Sequence, residues 1–207
     1  MSHKIHHTEG FVIAGSNYGE ANRYLSIFTK DFGLVRASAQ SLRKVSSKLR
    51  FSLQDFSYSK IDLVRGKEIW RVTNAKKITG YENLGRASID GARHDFAKSS
   101  NAIKFLANIF RLIRRLCHGE EENPELFAYL KEIYVFLEQE NLNEEDLKNF
   151  EAISVLKILH CLGYIGDGKD LSIFVSNNLS HSMLGQAKLA RRTLIEEINK
   201  SLRESQL

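Results

Sequence analysis

The period of the hydrophobic pattern changes once along this 207-residue chain, and that change limits the fold more than any other feature. In the first 80 residues, short runs alternate between apolar and polar, the period of a strand with one face buried. They are Gly10-Phe11-Val12-Ile13, Tyr24 to Thr29, Leu34 to Ala37, Tyr58 to Val64 and Ile69 to Val72. Asp31-Phe32-Gly33 and Arg65-Gly66-Lys67 read as turns between antiparallel neighbours. Five short strands are too few for a two-layer sandwich and suit a small closed barrel of the OB type, with an SH3-like barrel as the alternative.

From about Asp95 the spacing becomes helical. Phe96, Ile103, Leu106, Phe110, Ile113 and Cys117 mark one apolar face. Asn123-Pro124-Glu125 is a helix start, with a capping side chain, a proline in the first turn and an acid beside it. Leu126, Leu130, Ile133 and Leu137 give the buried face that follows. A third helix opens at Asn143-Glu144-Glu145-Asp146, buries Phe150, Ile153, Leu156 and Leu159, and ends at Gly163. A last helix is expected from about Gly185 to Leu202, carried by Leu194, Ile195 and Ile198; residues 164–184 give no clear pattern. The chain therefore reads as α+β, with a five-stranded barrel domain over residues 1–80 and an all-α domain over 81–207 packed directly against it.

Charge follows the same division. Residues 1–90 carry 15 Lys and Arg against 8 Asp and Glu, whereas residues 91–207 carry 15 against 17. A basic barrel joined to a neutral or acidic body points to a polyanion-binding domain. No run approaches the roughly 18 apolar residues of a membrane span, and the N-terminus lacks the apolar core of a signal peptide, so a cytoplasmic protein with no membrane partner is expected. The two cysteines, Cys117 and Cys161, are read as reduced.

The segment Gln40 to Arg50 lies between two strands and concentrates groups that meet phosphate. Arg43, Lys44, Lys48 and Arg50 would neutralise charge and release counterions, while the hydroxyls of Ser46 and Ser47 would donate to phosphate oxygens. A solvated basic hairpin loop is the plainer reading of the same composition. Tyr18, Tyr24, Tyr58 and Trp70 are candidates for base stacking, although about half of the aromatics in so small a barrel face inward. On the helices, Arg111, Arg114 and Arg115 are spaced to share one face, as are Lys188, Arg191 and Arg192. Each trio could hold an acidic peptide, extend a DNA track, or balance the acidic stretch from Glu120 to Glu151.

No catalytic constellation is legible. P-loop, dinucleotide, nucleophile-elbow and zincin motifs are absent, and Asp90, Asp95, Glu120 and Glu121 make no pattern suited to catalysis. Cys117-His118 and His160-Cys161 suggest a zinc site, but adjacent helical positions diverge by about 100°, so the two dipeptides would not converge four ligands. His3, His6 and His7 are read as frayed or strand-edge residues. No metal, cofactor or catalytic residue is expected.

Five segments in order resemble the RecO recombination-mediator family: His7 to Ile13, Tyr18-Gly19-Glu20-Ala21-Asn22-Arg23, Phe28-Thr29 with Gly33, Arg43-Lys44 to Ser47, and Leu53-Gln54-Asp55-Phe56-Ser57. Val155 to Tyr164 is similar to a helix ending in Leu-Gly-Tyr in that family's helical domain. Asn22 stands where an acid is usual, Ser41 where a glycine is common, and Asp55 where a proline is usual; the four-cysteine zinc module of many members is missing, as in a short member of the family. The resemblance implies an OB-fold domain that binds single- and double-stranded DNA and anneals complementary strands. It further implies cooperation with RecR in loading RecA on DNA coated by single-strand-binding protein, at the nucleoid. The helical domain would receive the acidic, phenylalanine-ending tail of single-strand-binding protein, which needs an apolar pocket beside bases. The competing reading is a non-catalytic protein-interaction adaptor on the same scaffold, with DNA binding lost.

Overall fold

In the first part of the chain, alternation becomes a closed five-stranded barrel. The computed structural model describes residues 4–78, 96–140, 142–166 and 171–204. The strands are β1 (Ile5–Tyr18), β2 (Asn22–Thr29), β3 (Gly33–Ala39), β4 (Tyr58–Arg65) and β5 (Trp70–Lys77). They close in the order β1-β2-β3-β5-β4, antiparallel except for the short parallel contact of β3 with β5. This is the OB topology. Every second residue of each strand points inward, so Val12, Leu25, Ile27, Val35, Ala37, Ile61, Leu63, Trp70 and Val72 fill the interior. β1 is longer than its apolar run suggests, because its polar start at Ile5 to Glu9 still pairs with β4. Ile13 is the extra residue of a bulge in β1: Val12 pairs with Ile27 and Ala14 with Ser26.

Among the described residues five helices follow: α1 (Phe96–Leu116), α2 (Pro124–Gln139), α3 (Glu144–Cys161), α4 (Ser172–Ser176) and α5 (His181–Glu204). Both expected caps form. The Asn123 side chain accepts from the Leu126 amide at 2.8 Å, and that of Asn143 from the Asp146 amide at 2.9 Å. Gly163 takes φ +78° and ends α3, its amide donating to the His160 carbonyl while that of Tyr164 donates to Leu159. α5 starts four residues before the expected Gly185 and buries Met183, Leu184 and Ala187 as well as Leu194 and Ile198. Ile195, expected inside, is 42% exposed because it lies one position beyond Leu194, off the buried stripe. The short α4, whose Phe174 is buried, lies within residues 164–184, where the sequence pattern is unclear. No helix among the described residues is long and apolar enough to cross a membrane.

Barrel and helices share one core. Phe11, Ile13, Phe28 and Tyr58 point out of the barrel and join the buried faces of α1, α2 and α3 in a single apolar cluster. Phe11 stacks on Tyr58 with ring centroids 4.4 Å apart, and Tyr134 and Phe127 of α2 close over it at 4.9 and 5.2 Å. The Tyr134 hydroxyl donates to the Phe56 carbonyl at 2.7 Å, and burial pushes its pKa well above the ordinary value. At the other end, Glu120 accepts from Trp70 Nε1 at 2.8 Å and from Arg65 at 2.7 Å. The division expected between residues 80 and 81 lies outside the described residues, as do His3, Asp90 and Asp95.

Candidate nucleic-acid interface

The basic segment belongs to a long β3–β4 connection that is folded tightly over the end of the barrel. Leu42 and Leu53 are buried and Leu49 partly so, all three packing on the barrel interior. Between them run successive tight turns, with Lys44 N donating to Ser41 O, Ser47 N to Lys44 O and Arg50 N to Ser47 O. The segment is also tied to the β1–β2 hairpin: the Ser41 amide donates to Asn22 Oδ1 at 2.8 Å and the Arg43 amide to Ala21 O at 2.9 Å. Arg43, Lys44, Ser46 and Lys48 are exposed, and Ser47 and Arg50 are half-buried. Among the described residues, none of these four cations lies in ion-pair contact with a carboxylate.

The departures from the family pattern have local accounts. Ser41 adopts φ +54°, a left-handed conformation that glycine takes without strain. Asn22 accepts the Ser41 amide with its side-chain oxygen, the same service a carboxylate would give. Asp55 holds Arg23 through two hydrogen bonds of 3.0 and 3.1 Å.

Next to this loop the bulge in β1 sets up a free barrel face. Beyond Ile13 the pairs Ala14–Ser26, Ser16–Tyr24 and Tyr18–Asn22 bring polar and aromatic residues to the outside. Across β2, Ser26 pairs with Arg36 and Tyr24 with Ser38, and Ser38 in turn pairs with Arg71 of β5. The Tyr18 and Tyr24 rings lie 4.6 Å apart, and the Arg36 guanidinium sits 5.2 Å over Tyr24. Arg36 and Arg71 are exposed and escaped the sequence reading, although Arg36 follows inward-facing Val35 and so had to face outward. Of the four aromatics considered for stacking, Tyr58 and Trp70 are buried, while Tyr18 and Tyr24 lie on this face.

The two helical basic trios differ in their surroundings. Arg111, Arg114 and Arg115 rim a groove of about 450 Å³ between α1 and the barrel, floored by Ile13, Phe56 and Phe110. Among the described residues Arg114 and Arg115 have no ion-pair partner, and Arg111 donates to Asn108 Oδ1 at 3.4 Å. In the second trio, Lys188 pairs with Glu145 at 3.2 Å and Arg192 with Glu196 at 2.9 Å, so two of its three cations already hold carboxylates. A larger cavity of about 650 Å³ between α2, α3 and α4 carries Glu125 and Glu132, and its Lys157 is tied to Asn177 O and Glu132. Among the described residues it presents no free cation to an acidic ligand.

Cys117 and Cys161 are half-buried, and burial pushes their thiols up to about 11 and about 12, so both are protonated at neutral pH. Among the described residues no three His, Cys, Asp or Glu side chains gather where they could hold a metal ion.

A β1-β2-β3-β5-β4 barrel whose open face carries aromatics and arginines beside a basic loop places the molecule in the OB-fold class. Residues 1–81 match the family model described as "Recombination protein O N terminal". The chain is 31% identical over 157 residues to the DNA repair protein RecO of Dehalococcoides mccartyi, covering 76% of this chain and 56% of that protein. It is 30% identical over 145 residues to that of Alkaliphilus metalliredigens, with 70% and 54% covered. Against the Thermodesulfovibrio yellowstonii protein it is 29% identical over 171 residues, with 80% and 60% covered. The chain belongs to the RecO family, and the matched regions span a little over half the length of these relatives.

Proposed function

We propose that this chain is a non-catalytic recombination mediator that binds single- and double-stranded DNA, anneals complementary single strands and, with RecR, helps load RecA on DNA coated by single-strand-binding protein. The observation that carries the reading is the continuity of the Tyr18–Tyr24–Arg36 face with the pinned basic loop. Phosphates would be met by Arg36, Arg43, Lys44, Lys48, Arg50 and Arg71, with Ser46 and Ser47 as hydroxyl donors, and bases by the two tyrosines. Neutralising phosphate charge lowers the repulsion between complementary strands, which is the physical contribution needed for annealing. The groove under α1 suits the acidic, phenylalanine-ending tail of single-strand-binding protein: Ile13, Phe56 and Phe110 take the ring, and Arg111, Arg114 and Arg115 take the carboxylates. Lys188, Arg191 and Arg192 are the weaker candidates for that tail, since two of them already hold carboxylates.

Fluorescence anisotropy with labelled single-stranded DNA across a salt series tests the reading. Six phosphate contacts give log affinity against log salt a slope of about −4, at roughly −0.7 per contact on single strands. Replacing Arg43, Lys44 and Lys48 by alanine flattens it to about −2. The absence of binding even at low salt would remove the DNA reading and leave the adaptor. In a parallel titration with the tail peptide, R114E/R115E loses binding and K188E/R192E keeps it.

A further inference from the structure

The same loop holds an aromatic side chain that its own architecture keeps out of the core. Phe51 is 59% exposed, although it directly precedes buried Ser52 and Leu53. The cause is local geometry. The amides of Ser52 and Leu53 both donate to Leu49 O, at 3.1 and 3.0 Å, so this turn drives Leu49 and Leu53 onto the barrel interior and turns Phe51 outward. Ser52 O then accepts hydroxyls from Ser57 and Ser59 at 2.9 and 2.6 Å, which fixes the turn from behind. An isolated exposed apolar residue is ordinary. Here Val45, 85% exposed, lies in the same loop, and the two are interleaved with Arg43, Lys44, Lys48 and Arg50.

A ligand that matches a fixed aromatic face among cations must present flat apolar groups along an anionic spine. Unpaired nucleic acid does so, because every base has a face that stacks and every link carries a phosphate. The tight turns also mean that little loop freedom is lost on binding. We infer that Phe51 is a stacking platform for an unpaired base of DNA, with Lys48 and Arg50 meeting the flanking phosphates. The inference rests on the DNA-binding reading above and adds to the Tyr18–Tyr24 face a second stacking point, on the loop itself.

The test uses the full chain and three labelled probes of equal length: oligo(dT), an abasic single strand and a blunt duplex. Phe51→Ala weakens oligo(dT) binding about fivefold to 100-fold, the range for one lost base stack, and leaves the abasic strand and the duplex unchanged. Phe51→Trp restores oligo(dT) affinity, and its indole fluorescence, added to that of buried Trp70, is quenched by oligo(dT) and not by the abasic strand. Unchanged oligo(dT) binding by Phe51→Ala, or an equal loss on all three probes, overturns the stacking role while leaving the DNA-binding reading intact. Loss of binding to an acidic tail peptide with oligo(dT) affinity retained would assign Phe51 to a protein partner instead. If the wild-type chain binds none of the three probes, both readings fall.

Discussion

Phe11→Ala would show whether barrel and helices stand or fall together. The Phe11 ring has no exposed surface and lies 4.4 Å from Tyr58, 4.9 Å from Tyr134, 5.2 Å from Phe127 and 6.4 Å from Phe110, centroid to centroid. One of those neighbours belongs to β4, one to α1 and two to α2. Truncating a fully buried phenylalanine costs about 3–5 kcal/mol, and at roughly 2–4 °C per kcal/mol for a chain of this length the melting temperature falls by about 6–20 °C. Two probes divide the molecule: fluorescence of Trp70, the sole tryptophan, reports the barrel interior, and far-ultraviolet ellipticity reports the helices. Because the lost ring touches both parts, the two transitions move down together and remain superimposed. A helical transition that stays in place while the Trp70 signal shifts would refute the shared core and mean two independently stable units.

Gly33→Ala tests the contact between the β2–β3 turn and the α1–α2 connection. Gly33 has φ +60° and an added Cβ would fall 2.0 Å from the Glu121 carbonyl oxygen, whereas Gly163, at φ +78°, has open space around it. Both substitutions carry about 1–3 kcal/mol of backbone strain, so urea unfolding should show the Gly33 variant to be clearly the less stable, and equal losses would refute the clash. Alkali should also destabilise the fold. The thiols of Cys117 and Cys161 are raised by burial to about 11 and about 12, against 9.0 for a free thiol, so the native state holds those protons more tightly. Their contribution is complete below about pH 9 and is lost as the pH rises toward the folded values; C117A/C161A should flatten the fall in urea midpoint over that range, and an identical fall would refute it.

What the sequence made legible follows from which interactions are local. Strand alternation, the Asn123 and Asn143 caps and the Gly163 stop are set within a few residues, and each forms as read. Long-range pairing escaped. Ile5 to Glu9 looks polar yet is strand, because β4 supplies its partners some 55 residues away. α3 buries Asn149, Ser154 and Lys157 along with its apolar residues, so its expected stripe captured only part of its contacts. Both basic trios have the same spacing, and only their three-dimensional neighbours separate them: Glu145 and Glu196 pair with Lys188 and Arg192 of the α5 set, while Ile13 and Phe56, more than fifty positions earlier in the chain, floor the groove of the α1 set.

The bulge at Ile13 is what lets one sheet serve two ends. Just before it, the outward residues of β1 and the strands it pairs with there are Phe11, Phe28 and Tyr58, apolar groups that need cover and take it from α1 and α2. After it they are Ala14, Ser16, Tyr18, Tyr24, Ser26, Arg36 and Ser38, small or polar groups that would lose hydration without compensation if a helix were laid on them. The helical body therefore stops at the bulge, and the α1 arginines stand where it stops. Ala14 belongs to the open face and also lines their groove; it pairs with Ser26, which pairs with Arg36, so the groove edge and Arg36 lie about two strand spacings apart, roughly 10 Å. That separation slightly exceeds the Debye length of about 8 Å at physiological salt, so the two basic surfaces are largely screened from each other there and couple more strongly as the salt is lowered.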